Sequence, residues 1–331
     1  MSLRKLLLGA ATGAALMSGP AMALDEITVG YFLEWPMPFE FAKVNGTYEE
    51  AMGVKINWRA FDTGTAMSAA MASGDVQISV SQGVPPFVNA TSAGQALQAI
   101  DVAVSYAEND NCVVRTDLEI TKDNAGELAG KKVALPVGSA AHYGFLKQME
   151  HFGVDVASME IVDMAPPDGA AAFAQGSLDM VCGWGGSLRR MKEHGNVLLT
   201  GAEKEELGLL VFDVTSANAG FVAENPDLVA KFLKVTADAN AMWADTSKQA
   251  EMLPVIAKDS GMDEAATAET MATFVFPTVE DQMGAKWLGG GAQTFMKGVA
   301  DVFVTAGSIP AALPDYNATV NTAPLAAASS M

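Results

Sequence analysis

The sequence has few of the residues that enzyme and metal sites usually require. It contains three histidines, His142, His151 and His194, in no H-x-x-x-H or HExxH spacing, and two cysteines. A catalytic zinc ion needs three protein ligands, so no zinc site is expected. The chain also lacks the GxxxxGK[ST] phosphate loop, a GxGxxG turn after a strand, and the GxSxG turn of α/β-hydrolases. We therefore expect no metal and no cofactor.

Basic residues are also scarce, with 20 Lys and Arg against 39 Asp and Glu, a formal net charge of −19. Such an acidic chain is a poor partner for nucleic acid or for an anionic membrane surface. No segment after the first 23 residues offers a long uncharged apolar run. Neither a nucleic-acid-binding protein nor a chain with several membrane spans is expected.

The first 23 residues have the pattern of a secretory signal peptide. Arg4 and Lys5 precede an apolar stretch, and small residues occupy Ala21 and Ala23. We expect cleavage after Ala23 and export of residues 24–331. Without the two positive charges of the leader, the net charge of −19 becomes −21.

Two cysteines, Cys112 and Cys182, remain in the exported part. An oxidising compartment permits one disulfide between them, and two buried free thiols are the alternative. Sequence alone does not show whether these residues are close together.

Short apolar strands alternate with short helical segments over most of the chain, which predicts βαβ units and mostly parallel sheets flanked by helices. About 300 residues exceed the size of one typical core, so we expect two lobes with the ligand in the cleft between them. Residues 24–112 and 217–331 are predicted to form lobe 1, and residues 113–216 lobe 2. From about Asn225 the chain is predicted to be helical, with a frayed tail at 323–331.

The segment PVGSAAHYGFL, residues 136–146, places a strand end directly before a predicted helix. Ser139 and His142 could be a nucleophile and its base, but no acid nearby in sequence could orient the histidine. A helix start can alternatively bind an anion through free amides, to which Ser139, His142 and Tyr143 would add side-chain donors. A third interpretation is that Ser139 only caps its helix.

A second strand-to-helix turn lies at Ser81–Pro85, and Gln82, Gly83 and Val84 are its candidate ligand-binding residues. Two such turns, one in each lobe, could face each other across the cleft.

Candidates for the opposite charge lie at other strand ends. Glu34 and Trp35 follow the first strand, and Trp184 ends another. Asp213 interrupts an apolar run, where a carboxylate is costly unless it is paired. The two tryptophans could instead be ordinary core residues, or they could pack a ligand's methylene groups or face an ammonium.

Several segments resemble the substrate-binding proteins of taurine ABC transporters. The similar stretches are WRAFDTGTAMSAAMASGDVQI (58–78), GKKVALPVGSAAHYGFLKQMEHFGV (130–154), IVDMAPPDGAAAFAQGSLDMVCGW (161–184) and the strand that holds Asp213. The resemblance implies a type II periplasmic binding protein fold and a non-enzymatic receptor. It would be a monomer in the periplasm that delivers a small ligand to an inner-membrane ABC permease.

The resemblance also implies site residues. The sulfonate-contacting turns correspond to the segments 82–84 and 139–143, the aromatic wall to Trp184, and the amine-side carboxylate to Asp213, with Glu34 in the loop after the first strand. The turn at 82–85 departs from the family's usual Gly-Ser-Ser-Pro. A cage of Trp35, Phe39 and Trp184 keeps a quaternary amine open as the ligand, and an alkanesulfonate is a further alternative.

Overall fold

The computed structural model describes residues 24–331. The predicted signal peptide, residues 1–23, lies outside the described residues. Within residues 24–331, no helix is both long enough and apolar enough to cross a membrane.

Ten strands and fifteen α-helices make up the described chain. The strands are β1 (Glu26–Phe32), β2 (Lys55–Phe61), β3 (Ile78–Gly83), β4 (Leu97–Ser105), β5 (Asp110–Arg115), β6 (Lys132–Leu135), β7 (Glu160–Asp163), β8 (Met180–Trp184), β9 (Gly195–Val197) and β10 (Phe212–Asn218). The helices are α1 (Phe39–Val44), α2 (Thr47–Met52), α3 (Gly64–Ala72), α4 (Val84–Ser92), α5 (Ala140–Phe152), α6 (Pro166–Ala174), α7 (Gly185–Lys192), α8 (Gly201–Glu206), α9 (Ala219–Glu224), α10 (Pro226–Ala244), α11 (Thr246–Ser260), α12 (Glu264–Met271), α13 (Val279–Met283), α14 (Gly291–Thr305) and α15 (Ala323–Ala328).

The strands form two five-stranded sheets, in the orders β2-β1-β3-β10-β4 and β7-β6-β8-β5-β9. In each sheet four strands run in one direction, and the fifth, β10 or β5, runs antiparallel between two of them. The parallel strands come from βαβ units, whose crossover helices cover the sheets. The sheets are therefore mixed, with the predicted parallel arrangement interrupted by one strand in each.

The two antiparallel strands are the ones that follow a change of sheet. The chain leaves the first sheet after Ser105 and enters the second at Asp110, and it returns between Val197 and Phe212. The boundaries predicted from sequence, 112/113 and 216/217, fall inside β5 and β10. We propose that the lobes are divided at the two crossings, because a strand that is hydrogen-bonded along its length belongs to one sheet.

Helix α14 belongs to the first lobe but packs against both α4 of that lobe and α5 of the second. His142 of α5 stacks on Phe303 of α14, with ring centroids 5.4 Å apart, and Tyr143 packs edge-on against Phe295 and Phe303. These contacts hold the start of α5 against the first lobe.

Cys112 and Cys182 lie directly opposite each other in the antiparallel pair β5 and β8, and a disulfide joins them. Both residues are buried in the core of the second lobe. The bond links the crossing strand β5 to the strand that ends at Trp184.

The C-terminal tail is ordered rather than frayed. It forms α15, whose Leu325 and Ala328 are buried against the first lobe, where the helix packs on α10. The prediction of a frayed tail was wrong, because the apolar face of this alanine-rich segment is buried against α10.

Candidate ligand-binding site

A cavity lies between the two lobes, where strand ends of both sheets meet the first turns of three helices. Its empty volume is about 320 Å³, including the part open to solvent. The residues that line it are Phe32, Trp35, Gly64, Ser81, Gly83, Pro86, Tyr106, Ser139, Ala140, Trp184 and Asp213. Carboxyl ends of strands are where α/β sheets commonly bind ligands.

Asp213 is the only carboxylate among these lining residues, and its side chain is buried. Ser81 Oγ donates to its Oδ2 at 2.7 Å, and the Tyr106 hydroxyl donates to its Oδ1. Burial, together with the charge of nearby Asp110, raises the pKa of Asp213 to about 7, against the lowering effect of these two hydrogen bonds. A cationic group brought into the cavity would therefore stabilise the ionised form of this carboxylate.

Ser81 connects Asp213 to the aromatic wall. Its Oγ accepts from Trp35 Nε1 at 2.8 Å while donating to Asp213. Its backbone is left-handed, with φ of 63°, at the point where the pairing of β3 with β10 shifts register. A strained non-glycine residue of this kind is typical of functional sites.

Aromatic rings form much of the remaining wall. Trp35 packs edge-on against Tyr106, with centroids 4.6 Å apart, and Phe32 packs edge-on against Trp184 at 6.3 Å. Phe39 lies outside the cavity, stacked on Trp58 at 5.7 Å in the core of the first lobe. The predicted cage of Trp35, Phe39 and Trp184 is therefore replaced by Trp35, Phe32, Tyr106 and Trp184.

The other side of the cavity is formed by the start of α5. Ser139 is the N-cap, and its Oγ accepts from the His142 amide at 3.2 Å, which leaves the hydroxyl proton free to donate. Within residues 24–331, the amides of Ala140 and Ala141 donate to no protein acceptor. No lining residue of the described cavity is Lys, Arg or His. Helix amides and the Ser139 hydroxyl are thus among the groups available to an anion.

His142 and Tyr143 face away from the cavity. His142 Nδ1 accepts from the Gly138 amide at 3.1 Å, so the imidazole braces the turn and makes no hydrogen bond to Ser139 Oγ. Burial lowers the pKa of His142 to about 4. Tyr143 lines a separate cavity beside Asp110 and Lys204.

The second predicted turn contributes only part of its residues to the cavity. Gly83 lines it, while the Gln82 side chain, on the opposite face of the strand, donates to Ser68 Oγ at 2.6 Å and accepts from Ser216. Val84, the first residue of α4, is fully buried and is not a lining residue.

Glu34 also lies outside the cavity. Its carboxylate binds Arg190 of α7, with Arg190 Nη1 2.5 Å from Oε1 and Nη2 2.9 Å from Oε2. Since Arg190 neutralises the Glu34 carboxylate, and Glu34 is not a lining residue, Glu34 is not available to a ligand in the cavity in this arrangement.

Five of the residues predicted from the sequence line the cavity, namely Trp35, Gly83, Ser139, Trp184 and Asp213. The lining residues that were not predicted include Phe32, Ser81 and Tyr106. Phe32 ends β1 and Tyr106 directly follows β4, so the rule that selected Trp184, a side chain at a strand end, would have found both.

Comparison with known proteins shows the family to which the chain belongs. Residues 37–250 match the family described as NMT1/THI5 like. The chain is 27% identical over 307 residues to the taurine-binding periplasmic protein of Escherichia coli (strain K12), covering 92% of this chain and 93% of that protein.

Among solved structures, the alkanesulfonate-binding protein SsuA from Xanthomonas axonopodis pv. citri, bound to MOPS, superposes with a TM-score of 0.73. It has 20% identity, over 90% of this chain and 98% of that one. The desulfurization enzyme DszB shares the fold, with a TM-score of 0.64 and 16% identity over 92% of this chain and 99% of that one. These structural likenesses confirm the two-lobed periplasmic binding protein fold, and the sequence match shows that the chain belongs to the NMT1/THI5-like family.

Proposed function

We propose that this protein is a periplasmic solute-binding protein that captures taurine, or a close amino-sulfonate, and delivers it as a monomer to an inner-membrane ABC permease. The observation that carries the proposal is that one cavity holds a carboxylate on one wall and free hydrogen-bond donors on another. A buried carboxylate, Asp213, lies on one wall, and Ser139 and Ala140 at the start of α5 form another.

A small zwitterion matches this arrangement. An ammonium beside Asp213 would stabilise the ionised carboxylate, and a sulfonate at the start of α5 would accept hydrogen bonds from the free amide of Ala140 and from the Ser139 hydroxyl. The rings of Trp35 and Trp184 would cover the methylene groups. The taurine-binding relative, similar along nearly its whole length, supports the same ligand class.

Binding without chemistry is the function that the geometry favours, although an enzyme shares the fold. A serine nucleophile needs a base within hydrogen-bond reach. Here the His142 imidazole accepts from Gly138, and its low pKa leaves it a weak base. Mass spectrometry of taurine recovered after long incubation should find it intact, and any turnover would contradict this part of the proposal.

Calorimetry with protein freed of bound solutes by unfolding and refolding tests the ligand class. The panel is taurine, hypotaurine, ethanesulfonate, glycine betaine and choline. We expect taurine to bind at least about 30-fold more tightly than ethanesulfonate, because only taurine carries an ammonium for Asp213. Equal affinity for the two sulfonates, or no taurine binding, would reject the assignment.

A quaternary amine is the second candidate, and the aromatic wall favours it. Rings of Phe32, Trp35, Tyr106 and Trp184 beside a carboxylate form the kind of surface that binds quaternary ammonium groups. In the same panel, tighter binding of glycine betaine or choline than of taurine would replace the amino-sulfonate assignment. Tight binding of ethanesulfonate would favour an alkanesulfonate instead.

A further inference from the structure

Glu34 and Arg190 join the two lobes next to the cavity. Glu34 lies in the loop after β1 of the first lobe, and Arg190 lies on α7 of the second. The guanidinium binds the carboxylate through two hydrogen bonds, of 2.5 and 2.9 Å, and Ser187 Oγ donates to Oε2 at 3.1 Å. Paired geometry of this kind is the strongest form of an Arg–carboxylate contact.

The backbones of the two lobes also meet at this point. The Gly186 amide of the second lobe donates to the Glu34 carbonyl at 3.1 Å, and within the first lobe the Glu34 amide donates to the Ser260 carbonyl at 2.7 Å. Glu34 is held in the left-handed region, with φ of 54°.

Two glycines allow this close approach. A Cβ on Gly185, whose φ is 57°, would lie 2.3 Å from the Glu34 carbonyl oxygen, and one on Gly186 would lie 3.0 Å from Glu34 Cβ. Any side chain at Gly185 would separate α7 from the loop, so the two lobes meet here only because these positions are glycine.

These contacts lie immediately beside the ligand cavity. Trp35 and Trp184, the neighbours of Glu34 and Gly185 in sequence, both line it. Burial raises the pKa of the Glu34 carboxyl, but the hydrogen bonds and charge of Arg190 outweigh burial and lower the pKa overall. Glu34 is therefore ionised at neutral pH and contributes a full charge to the pair.

We propose that Glu34, Arg190 and the Gly185–Gly186 backbone form a closure latch, which holds the lobes together and sets the rate of ligand release without contacting the ligand. The inference rests on the proposed function only in that a small ligand occupies the cavity. It predicts that loss of the latch accelerates dissociation, because these contacts join the two lobes and must break before the lobes separate.

Arg190→Met removes the ion pair and keeps much of the side-chain volume. Stopped-flow measurement should show taurine dissociating about tenfold faster, with an association rate within about twofold of the wild type. Both side chains of the pair are partly exposed, at 27% and 39%, so a larger effect is not expected. Arg190→Lys, which keeps the charge but not the paired geometry, should give an intermediate rate.

Arg189→Met is the matched control. Arg189 precedes Arg190 on α7, but within residues 24–331 its only ion pair is with exposed Glu193, one turn along the same helix, and its charge is the smallest of the causes that lower the pKa of Glu34. Its release rate should match the wild type. A dissociation rate of Arg190→Met equal to that of Arg189→Met would overturn the latch.

Ethanesulfonate separates the latch from direct ligand contact. If Glu34 contacted the ligand ammonium, Glu34→Gln would weaken taurine and leave ethanesulfonate unchanged. The latch requires Glu34→Gln to accelerate the release of both ligands by the same factor, and a taurine-specific effect would refute it.

Distances between spin labels at Asp62 and Pro167 test closure independently of ligand identity. Both residues are exposed, and they line one groove, the first from lobe 1 and the second from lobe 2. Arg190→Met should lower the short-distance fraction relative to Arg189→Met. If added taurine leaves the wild-type distances unchanged, the proposed function fails, while the comparison of the two variants still decides the latch. Indistinguishable distances in the two variants, with and without taurine, would reject it.

Discussion

Asp213→Asn should separate ligand recognition from stability, because the carboxylate is buried in the cavity with no basic side chain among the described lining residues. The change conserves the size of the side chain and leaves an oxygen that can accept from Ser81 or Tyr106. It removes the charge and replaces the other acceptor oxygen by an NH2 group. If the ammonium of taurine is held by Asp213, the variant loses a buried charge pair, for which losses of about 2–5 kcal/mol are typical.

The same substitution should increase the stability of the ligand-free protein, and the pKa of Asp213 gives the magnitude of this effect. Its rise from 3.8 to about 7 corresponds to about 4 kcal/mol. Because the folded pKa is above the unfolded one, the protonated carboxyl stabilises the fold at low pH. This stability is lost as the pH rises from about 4 to about 7. Ligand-free Asp213→Asn should therefore be more stable than the wild type at pH 8.5, by about 1–4 kcal/mol, and should lose that advantage below pH 4.

The same pKa predicts the pH dependence of binding. Taurine should bind the ionised carboxylate, so wild-type affinity should be constant between about pH 7 and about pH 8.5, where the taurine amine stays protonated, and fall by up to about tenfold per pH unit below pH 7. Near pH 7 binding should release protons, which calorimetry in buffers of different ionisation enthalpy measures directly.

Ethanesulfonate is the control for these measurements, because it has no ammonium. Its affinity should change less than about threefold in Asp213→Asn and should not follow the titration of Asp213. Unchanged taurine affinity in the variant, or a flat pH profile between 5.5 and 8.5, would refute the electrostatic reasoning. If Asp213→Asn were less stable than the wild type at pH 8.5, the conclusion that burial of the ionised Asp213 carboxylate destabilises the fold would be wrong.

Three further predictions concern the second lobe. The double substitution Cys112→Ala and Cys182→Ala should lower the free energy of unfolding by about 4 kcal/mol in urea denaturation, since the bond closes a loop of 70 residues; a loss below about 1 kcal/mol would contradict this. Ser139→Ala should cost about 1 kcal/mol of stability as a lost helix cap and weaken taurine and ethanesulfonate by the same factor in calorimetry, whereas a taurine-only loss would place Ser139 on the amine side. The His142 ring should stay neutral between pH 8 and pH 5 in an NMR titration, because burial lowers its pKa to about 4, and a midpoint near 6.5 would show that the ring is solvated.

The sequence predicted the α/β architecture because its periodicity and its turns are local signals. The position of Asp213 was also readable, since a carboxylate inside an apolar run is costly unless it has a role. The direction of β5 and β10, and the sheet to which each belongs, could not be predicted from the sequence. Which sheet a strand joins depends on contacts between residues that are distant in sequence. For the same reason the predicted lobe boundaries fall within these two strands.

The individual side chains of the site were predicted less well. Ser81 and Gln82 are adjacent in sequence, but their side chains point to opposite faces of β3. An error of one residue in the predicted strand therefore changes which of the two is expected to face the cavity. Glu34 lies in the loop where ligand-facing residues were expected, but Arg190, 156 residues later, binds its carboxylate. No local pattern reveals that pairing, since long-range ion pairs are visible only in the fold.

The division of roles between Asp213 and the latch follows from where each group lies. Closing the lobes over an ionised Asp213 is unfavourable when nothing cationic is beside it, because burial opposes the charge, and a ligand ammonium reverses the sign of that effect. Closure is thereby coupled to the charge of the ligand. The Glu34–Arg190 pair stabilises the closed arrangement of the lobes by the same amount whatever ligand is bound, since the pair lies outside the cavity. Changes at Asp213 should therefore alter the preference among ligands, and changes at Arg190 should alter the residence time of all ligands alike.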